Sequence, residues 1–162
     1  TCQWDDMWAY VIDAPGSVFD GQGGGNYLLC TSGYKGELPK GIKRAIIGES
    51  EFLGTLTRTG VNGDADVPIM KAIQQGYKLQ PLSKFLGTKT PTAAPAINWP
   101  IYNPADLKTI NFFAYANFML SYTIPNPADK PMLENPARIG VAAGKPWEPQ
   151  KMGAEIVMAI EE

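Results

Sequence analysis

Trp8-Ala9-Tyr10-Val11-Ile12-Asp13, running into Ala14-Pro15-Gly16, is an aromatic and β-branched run closed by a turn signal, and it reads as a strand entering a turn. The same pattern recurs downstream. Gly21-Gln22-Gly23-Gly24-Gly25 separates this run from a second short strand at 26–31, and turn residues Gly33, Gly36 and Pro39-Lys40-Gly41 lead to a third at 42–47. A fourth lies within 52–61, where Phe52, Thr55, Thr57 and Thr59 favour extended backbone. Strands at roughly ten-residue spacing predict antiparallel pairing, in a sandwich or jelly-roll-like sheet of a β-rich α+β fold with a helical C-terminal extension. Pairing the first two strands as a hairpin sets Cys30 opposite Ala9. Cys2 then lies roughly 20 Å further along, too far for a disulfide, which needs Cα atoms within about 7 Å.

Beyond Asn62-Gly63-Asp64 the periodicity turns helical. Val67, Met70 and Ile73 share one face of a helix over 65–75 and are expected to meet the sheet, with Lys71 and Gln74 toward water and Gly76 as the stop. A proline-rich connector covers 81–100. Asn103 then caps a helix, Pro104 suits its first turn and Asp106 suits the positive end of its dipole. That helix, expected over 104–122, carries Phe112, Phe113, Tyr115, Phe118, Met119, Leu120 and Tyr122 on every side. Such a surface predicts a partner on it, either a companion domain or another chain, and hence a homo-oligomer. Asn126-Pro127-Ala128-Asp129 repeats the start signal for an irregular helix ending near Gly140, and a last helix follows Gly153. The expected organisation is a partial β-rich domain with one helix at 1–88, a proline-rich connector with helices at 89–149, and the start of a following domain at 150–162.

Composition narrows the function classes. The 162 residues are 44% hydrophobic and 19% charged, a globular balance, with one main domain as the default. A net charge of −2 with bases and acids intermixed argues against a nucleic-acid face. No apolar run approaches the roughly 20 residues of a membrane span. The chain has no histidine, so it holds no Ser-His-Asp or Cys-His nucleophile pair, no histidine base and no histidine metal ligand. Two cysteines, Cys2 and Cys30, do not make a zinc site by themselves. Neither a metal nor a cofactor is expected.

Alternate residues of a strand share a face, so Trp4, Asp6, Trp8 and Tyr10 would line one side. An aromatic platform beside a carboxylate suits a sugar or another flat small molecule; the same pattern also describes a core stripe with Asp6 at the strand entrance. Adjacent Asp5 and Asp6 point to opposite faces and do not form a glycosidase pair. The glycine run precedes a strand rather than a helix, so neither a dinucleotide nor a Walker phosphate loop is satisfied. Arg58 could bind a carboxylate bidentately, although pairing with a local acid or snorkelling from the sheet is the favoured reading. The candidate ligand-binding residues are therefore Asp6, Trp8, Tyr10 and Arg58, with no catalytic residue assigned.

Lys35-Gly36-Glu37-Leu38-Pro39-Lys40-Gly41-Ile42-Lys43-Arg44, then Leu56-Thr57-Arg58-Thr59-Gly60-Val61-Asn62-Gly63-Asp64-Ala65-Asp66-Val67-Pro68, then Gln75-Gly76-Tyr77-Lys78-Leu79-Gln80-Pro81-Leu82 resemble the family of domains of unknown function numbered 1254. Asp6-Met7-Trp8 and Asn26-Tyr27-Leu28-Leu29 are similar to the elements flanking that family's glycine turn. Pro131-Met132-Leu133, Arg138-Ile139-Gly140-Val141 and Gly144-Lys145-Pro146-Trp147 resemble the connector toward a companion domain numbered 1214. Val18-Phe19 and Glu49-Ser50-Glu51 depart from the family pattern, which weakens any carry-over of a site around that turn. The resemblance implies an extracytoplasmic, periplasmic or secreted, two-domain protein of jelly-roll-like topology, of which this chain is a fragment lacking the N-terminal part and most of the companion domain. For function two readings follow: a ligand-binding or interaction module with a cleft between domains, or a hydrolase-like enzyme using carboxylates.

Overall fold

Cys2–Asp5 forms the first strand, β1, and Asp6 ends it by folding the chain back on itself. One Asp6 carboxylate oxygen accepts the backbone N–H groups of Trp8 (2.9 Å) and Tyr10 (3.1 Å), while the Asp6 N–H donates to the Tyr10 carbonyl. Ala9 completes the reversal at φ 61°, in the left-handed region. The chain returns as β2 (Val11–Asp13), antiparallel to β1. These coordinates come from a computed structural model that describes residues 1–161.

The chain divides into two compact units, residues 1–48 with 52–94 and residues 49–51 with 95–162. In the first unit β1 is the centre of a three-stranded antiparallel sheet, flanked by β2 and by β5 (Gly54–Thr57), with Cys2 opposite Thr57 and Asp5 opposite Gly54. A short helix α1 (Ser17–Asp20) and the glycine run lead to β3 (Asn26–Thr31), which pairs with β4 (Ile42–Gly48) in a separate two-stranded sheet. That pairing is parallel. Two turns in the connecting loop explain it. One forms where Tyr34 N–H bonds the Thr31 carbonyl and another where Ile42 N–H bonds the Pro39 carbonyl, beside Gly41 at φ 88°. Two reversals restore the original direction, so β4 runs alongside β3 instead of against it.

Several expectations are corrected by this topology. The strand read at 8–13 is a turn followed by the three residues of β2, so β3 has no hairpin with it and Cys30 is not opposite Ala9. Cys2 and Cys30 are both free thiols, and they stand in different sheets. The architecture is mixed α+β with two small sheets and no closed barrel, and helix exceeds strand, 36% against 16%. Short strands explain the balance: none exceeds the seven residues of β4.

Helix α2 (Val67–Gln75) starts behind a 3-10 turn at Asp64–Asp66 and is the longest helix of the first unit, ahead of α3 (Leu82–Leu86). Its expected apolar face is only partly used. Val67 and Met70 are half-buried, but Ile73 is 49% exposed. Leu28 and Ile46, on neighbouring β3 and β4, form the buried apolar centre of this unit, with Ile46 only 1% exposed.

In the second unit the helix expected at 104–122 is two pieces, a 3-10 turn at Pro104–Lys108 and α4 (Phe112–Leu120). Asn103 caps the first piece as read, its side chain accepting the Ala105 N–H. Asn126 does the same for Ala128 ahead of α5 (Lys130–Arg138), and α6 (Ala154–Glu161) follows. Rings from the same unit cover much of the aromatic surface of α4. Phe113 lies 5.0 Å from Trp147, and Phe118 lies 5.5 Å from Trp99 and 5.3 Å from Tyr122, leaving Phe112 exposed. No helix among the described residues is long and apolar enough to cross a membrane.

Burial separates the two isoleucines. Ile46→Ala is expected to cost about 2–5 kcal/mol in urea unfolding, as buried large-to-small changes do. Ile73→Ala should cost less than about 1 kcal/mol. Equal costs would show that α2 packs its last turn more deeply than its exposure indicates.

Candidate functional site

In the first unit the strongest polar constellation centres on Arg44 of β4. Its Nε and Nη2 donate to the two carboxylate oxygens of Asp13 at 2.7 and 2.8 Å, a bidentate pair, and Nη1 donates to Asp20 at the end of α1. The guanidinium also lies over the Tyr27 ring, 5.0 Å from its centroid. Asp20 further accepts the Gly16 N–H at 2.9 Å. Hydrogen bonds from Arg44, then from Gly16, hold the Asp20 carboxyl down at about 2 from its ordinary 3.8. Asp13 is lowered as well, chiefly by Arg44, while burial and then Asp20 push the Tyr27 hydroxyl up. Each acid here is occupied by a base. The arrangement ties β2, α1, β3 and β4 together and offers no free carboxylate for chemistry.

Of the residues singled out from sequence, Asp6, Trp8 and Tyr10 meet in one tight turn through backbone hydrogen bonds, and Arg58 lies outside it. Asp6 is 7% exposed and its carboxylate serves the turn of β1 into β2. Trp8 and Tyr10 belong to that turn and its exit, Trp8 half-buried with an indole N–H lacking an acceptor, Tyr10 exposed. The strand face they were expected to share does not exist, because the chain reverses between them. Arg58 stands just past β5, where its backbone exchanges hydrogen bonds with Thr1 and its side chain is exposed. Among the described residues no group of three or more Cys, Asp or Glu is placed to hold a metal.

The second unit holds a cleft beside a loop that Asn117 of α4 anchors. Asn117 is 2% exposed, and its amide nitrogen donates to the carbonyls of Gly140 (2.8 Å) and Lys145 (2.9 Å) while its side-chain oxygen accepts the Ala142 N–H (2.8 Å). Its backbone carbonyl takes the Gly144 N–H and the Ser121 hydroxyl. This one side chain therefore fixes the loop after α5, where Gly140 adopts φ 89° against Trp147 and Met152. Between that loop, the end of α5 and the start of α6 opens a cleft of about 440 Å³. Its walls combine Ile139, Met152 and Ile156 with Arg138, Lys145 and Lys151. Glu148, also in the wall, pairs with Lys151 at 2.7 Å. A second, apolar hollow lined by Ile110, Val157 and Met158 shares Met152 with the first.

None of these cleft residues was assigned a role from sequence. Arg138, Gly140 and Lys145 fall in stretches that carried the family resemblance, so their spacing was visible, but nothing in the sequence showed that a buried asparagine gathers them. A mid-helix Asn flanked by apolar residues was the available signal: such a residue, if buried, must find backbone partners.

Two measurements probe these constellations. Asn117→Leu keeps the volume but strands two carbonyls and an N–H, and is expected to cost about 3 kcal/mol or more in denaturant unfolding; a loss below about 1 kcal/mol would mean that water replaces the amide. Because the folded pKa of Asp20 lies below its unfolded value, its contribution to stability is present above about pH 4 and is lost as pH falls through 3.8 toward 2. Carboxyl NMR titration should place Asp20 near 2 and, in Arg44→Ala, shift it up toward its ordinary 3.8, with the Gly16 N–H still holding it somewhat below; an unchanged midpoint in the variant would remove Arg44 as the chief cause.

Comparison with known proteins follows the same outline. The family described as a protein of unknown function, DUF1254, matches residues 1–81, which hold every strand of the first unit together with α1 and α2. No curated protein matches the chain. Among solved structures, the VPA0106 protein from Vibrio parahaemolyticus superimposes with a TM-score of 0.78 over 99% of this chain at 22% identity, a likeness of fold. This chain spans 37% of that protein's length. With half of its residues matched, through both small sheets, the chain belongs to the DUF1254 family.

Proposed function

We propose that the chain is a ligand-binding module whose small-molecule site is the cleft between the end of α5 and the start of α6, and that it is not a carboxylate hydrolase. The observation that carries this reading is the commitment of Asp13 and Asp20, together with that of Asp6, Asp106 and Glu148. Asp13 and Asp20 are held by Arg44, Asp6 by its turn, and Glu148 by Lys151. Asp106 accepts from the Tyr115 hydroxyl and the Asn111 amide. A glycosidase-like mechanism needs two carboxyl groups facing one substrate, one of them free to hold a proton. Asp13 and Asp20, the nearest approach to such a pair, share one arginine and are held ionised.

A cleft of this volume falls in the usual range for small-molecule sites, with mainly apolar walls and a few charged groups to orient the ligand. Methyl NMR during a fragment screen should move the signals of Ile139, Met152 and Ile156 together. A screen that leaves all three unmoved would remove the binding role. Turnover of a chromogenic ester or glycoside that Asp13→Asn or Asp20→Asn abolishes would instead establish the hydrolase.

A further inference from the structure

The charge balance of the cleft goes further than its shape. Of the four charged residues in its wall, Glu148 and Lys151 neutralise each other. Arg138 and Lys145 have no acidic partner among the described residues. Arg138 also occupies the last turn of α5, where a cation suits the helix dipole, so its charge has a second use there. Lys145 has no such use. It sits in a loop, with its carbonyl anchored by the Asn117 amide at 2.9 Å, so the root of its side chain is fixed at the cleft. The same cleft is also lined by the apolar side chains of Ile139, Met152 and Ile156.

These observations discriminate among ligand classes. A cation would meet two uncompensated positive charges. A neutral apolar molecule would bury the wall yet leave those charges partly desolvated and unpaired, which is costly. A small inorganic anion would pair with the charges but forfeit the apolar contact, worth roughly 25 cal/mol for each Å² removed from water. An organic anion with an apolar body satisfies both halves.

We infer that the cleft binds an organic anion, its acidic head between Arg138 and Lys145 and its apolar body against Ile139, Met152 and Ile156. This rests on the ligand-binding reading above and names the chemical class that the site takes. Glu148 and Lys151 pair with each other and leave no net charge, so the selectivity is set by the two unpaired cations.

A matched pair of fluorescent probes tests it: 1-anilinonaphthalene-8-sulfonate, which is anionic, and N-phenyl-1-naphthylamine, which has the same aromatic body without the sulfonate. On the intact 162-residue chain the anionic probe is expected to bind about tenfold more tightly than the neutral one. Lys145→Glu, and separately Arg138→Gln, should bring the anionic probe down toward the neutral one while changing the neutral probe by less than roughly twofold. Raising the salt concentration should weaken the anionic probe alone. Ile156→Asp should weaken both, and circular dichroism should show that each variant keeps its helices. Equal affinities that both depend on Ile156 would overturn the anion inference while leaving a binding cleft in place. Affinities indifferent to Lys145, Arg138 and Ile156 alike would overturn the cleft itself, and the inference with it. Lys145→Glu replaces an exposed side chain, so it decides the question even if Ile156→Asp disturbs α6.

Discussion

The buried carboxamide of Asn117 is the constraint on which the second unit depends. Few apolar side chains among the described residues are buried, Leu28, Ile46, Ile110 and Val141 together with Pro15, so hydrophobic burial alone leaves much of the chain loosely specified. Polar groups that must be satisfied supply the missing specification. Asn117 does so by converting the loop after α5 from an irregular segment into a fixed wall, since Gly140, Ala142 and Lys145 all present backbone groups to it. The cost is a residue with modest helix propensity in the middle of α4. The return is a loop whose geometry does not rely on contacts between its own side chains.

Arg44 has the equivalent part in the first unit, through charge. A guanidinium has its donors in one rigid plane, and here that plane serves two carboxylates from two different elements while one face rests on an aromatic ring. The antiparallel and parallel sheets share no strand, so this ion cluster is a link between β2 of one and β4 of the other. The pKa displacements of Asp13 and Asp20 express this structural role: both acids are stabilised in their charged form, the opposite of what proton transfer from a carboxylic acid requires.

Much of the fold was legible wherever local chemistry decides local structure. Asn103 and Asn126 cap where the sequence placed them, α2 starts close to its expected position, and the strands expected at 26–31 and 42–47 occur at 26–31 and 42–48. Pairing was not legible. A run of alternating apolar residues does not say whether the next strand arrives parallel or antiparallel, and here two turns hidden in one loop decided it. The Asp6 turn shows the same limit at closer range: the aromatic run around Trp8 and Tyr10 favoured an extended strand, but a carboxylate able to capture two N–H groups won locally. The cleft was the least readable feature, because its residues come from α5, the loop after it and α6, and only the fold brings them together.

The pairing of β1 with β5 also bears on how the chain folds. Cys2 and Thr57 lie 55 positions apart, whereas β1 meets β2 across a single tight turn and β3 meets β4 across one short loop. Closing the longest loop carries the largest entropy cost before any contact offsets it, though this cost grows only logarithmically with length. On this count β1 is expected to pair first with β2, with its outer edge open, and β5 to arrive last. Thr55 and Thr57 would then stabilise the finished sheet mainly by slowing its opening, while Asp6 governs how quickly the hairpin nucleates. φ-values near zero at Thr55 and substantial at Asp6 would express this order, and the reverse ranking would refute it.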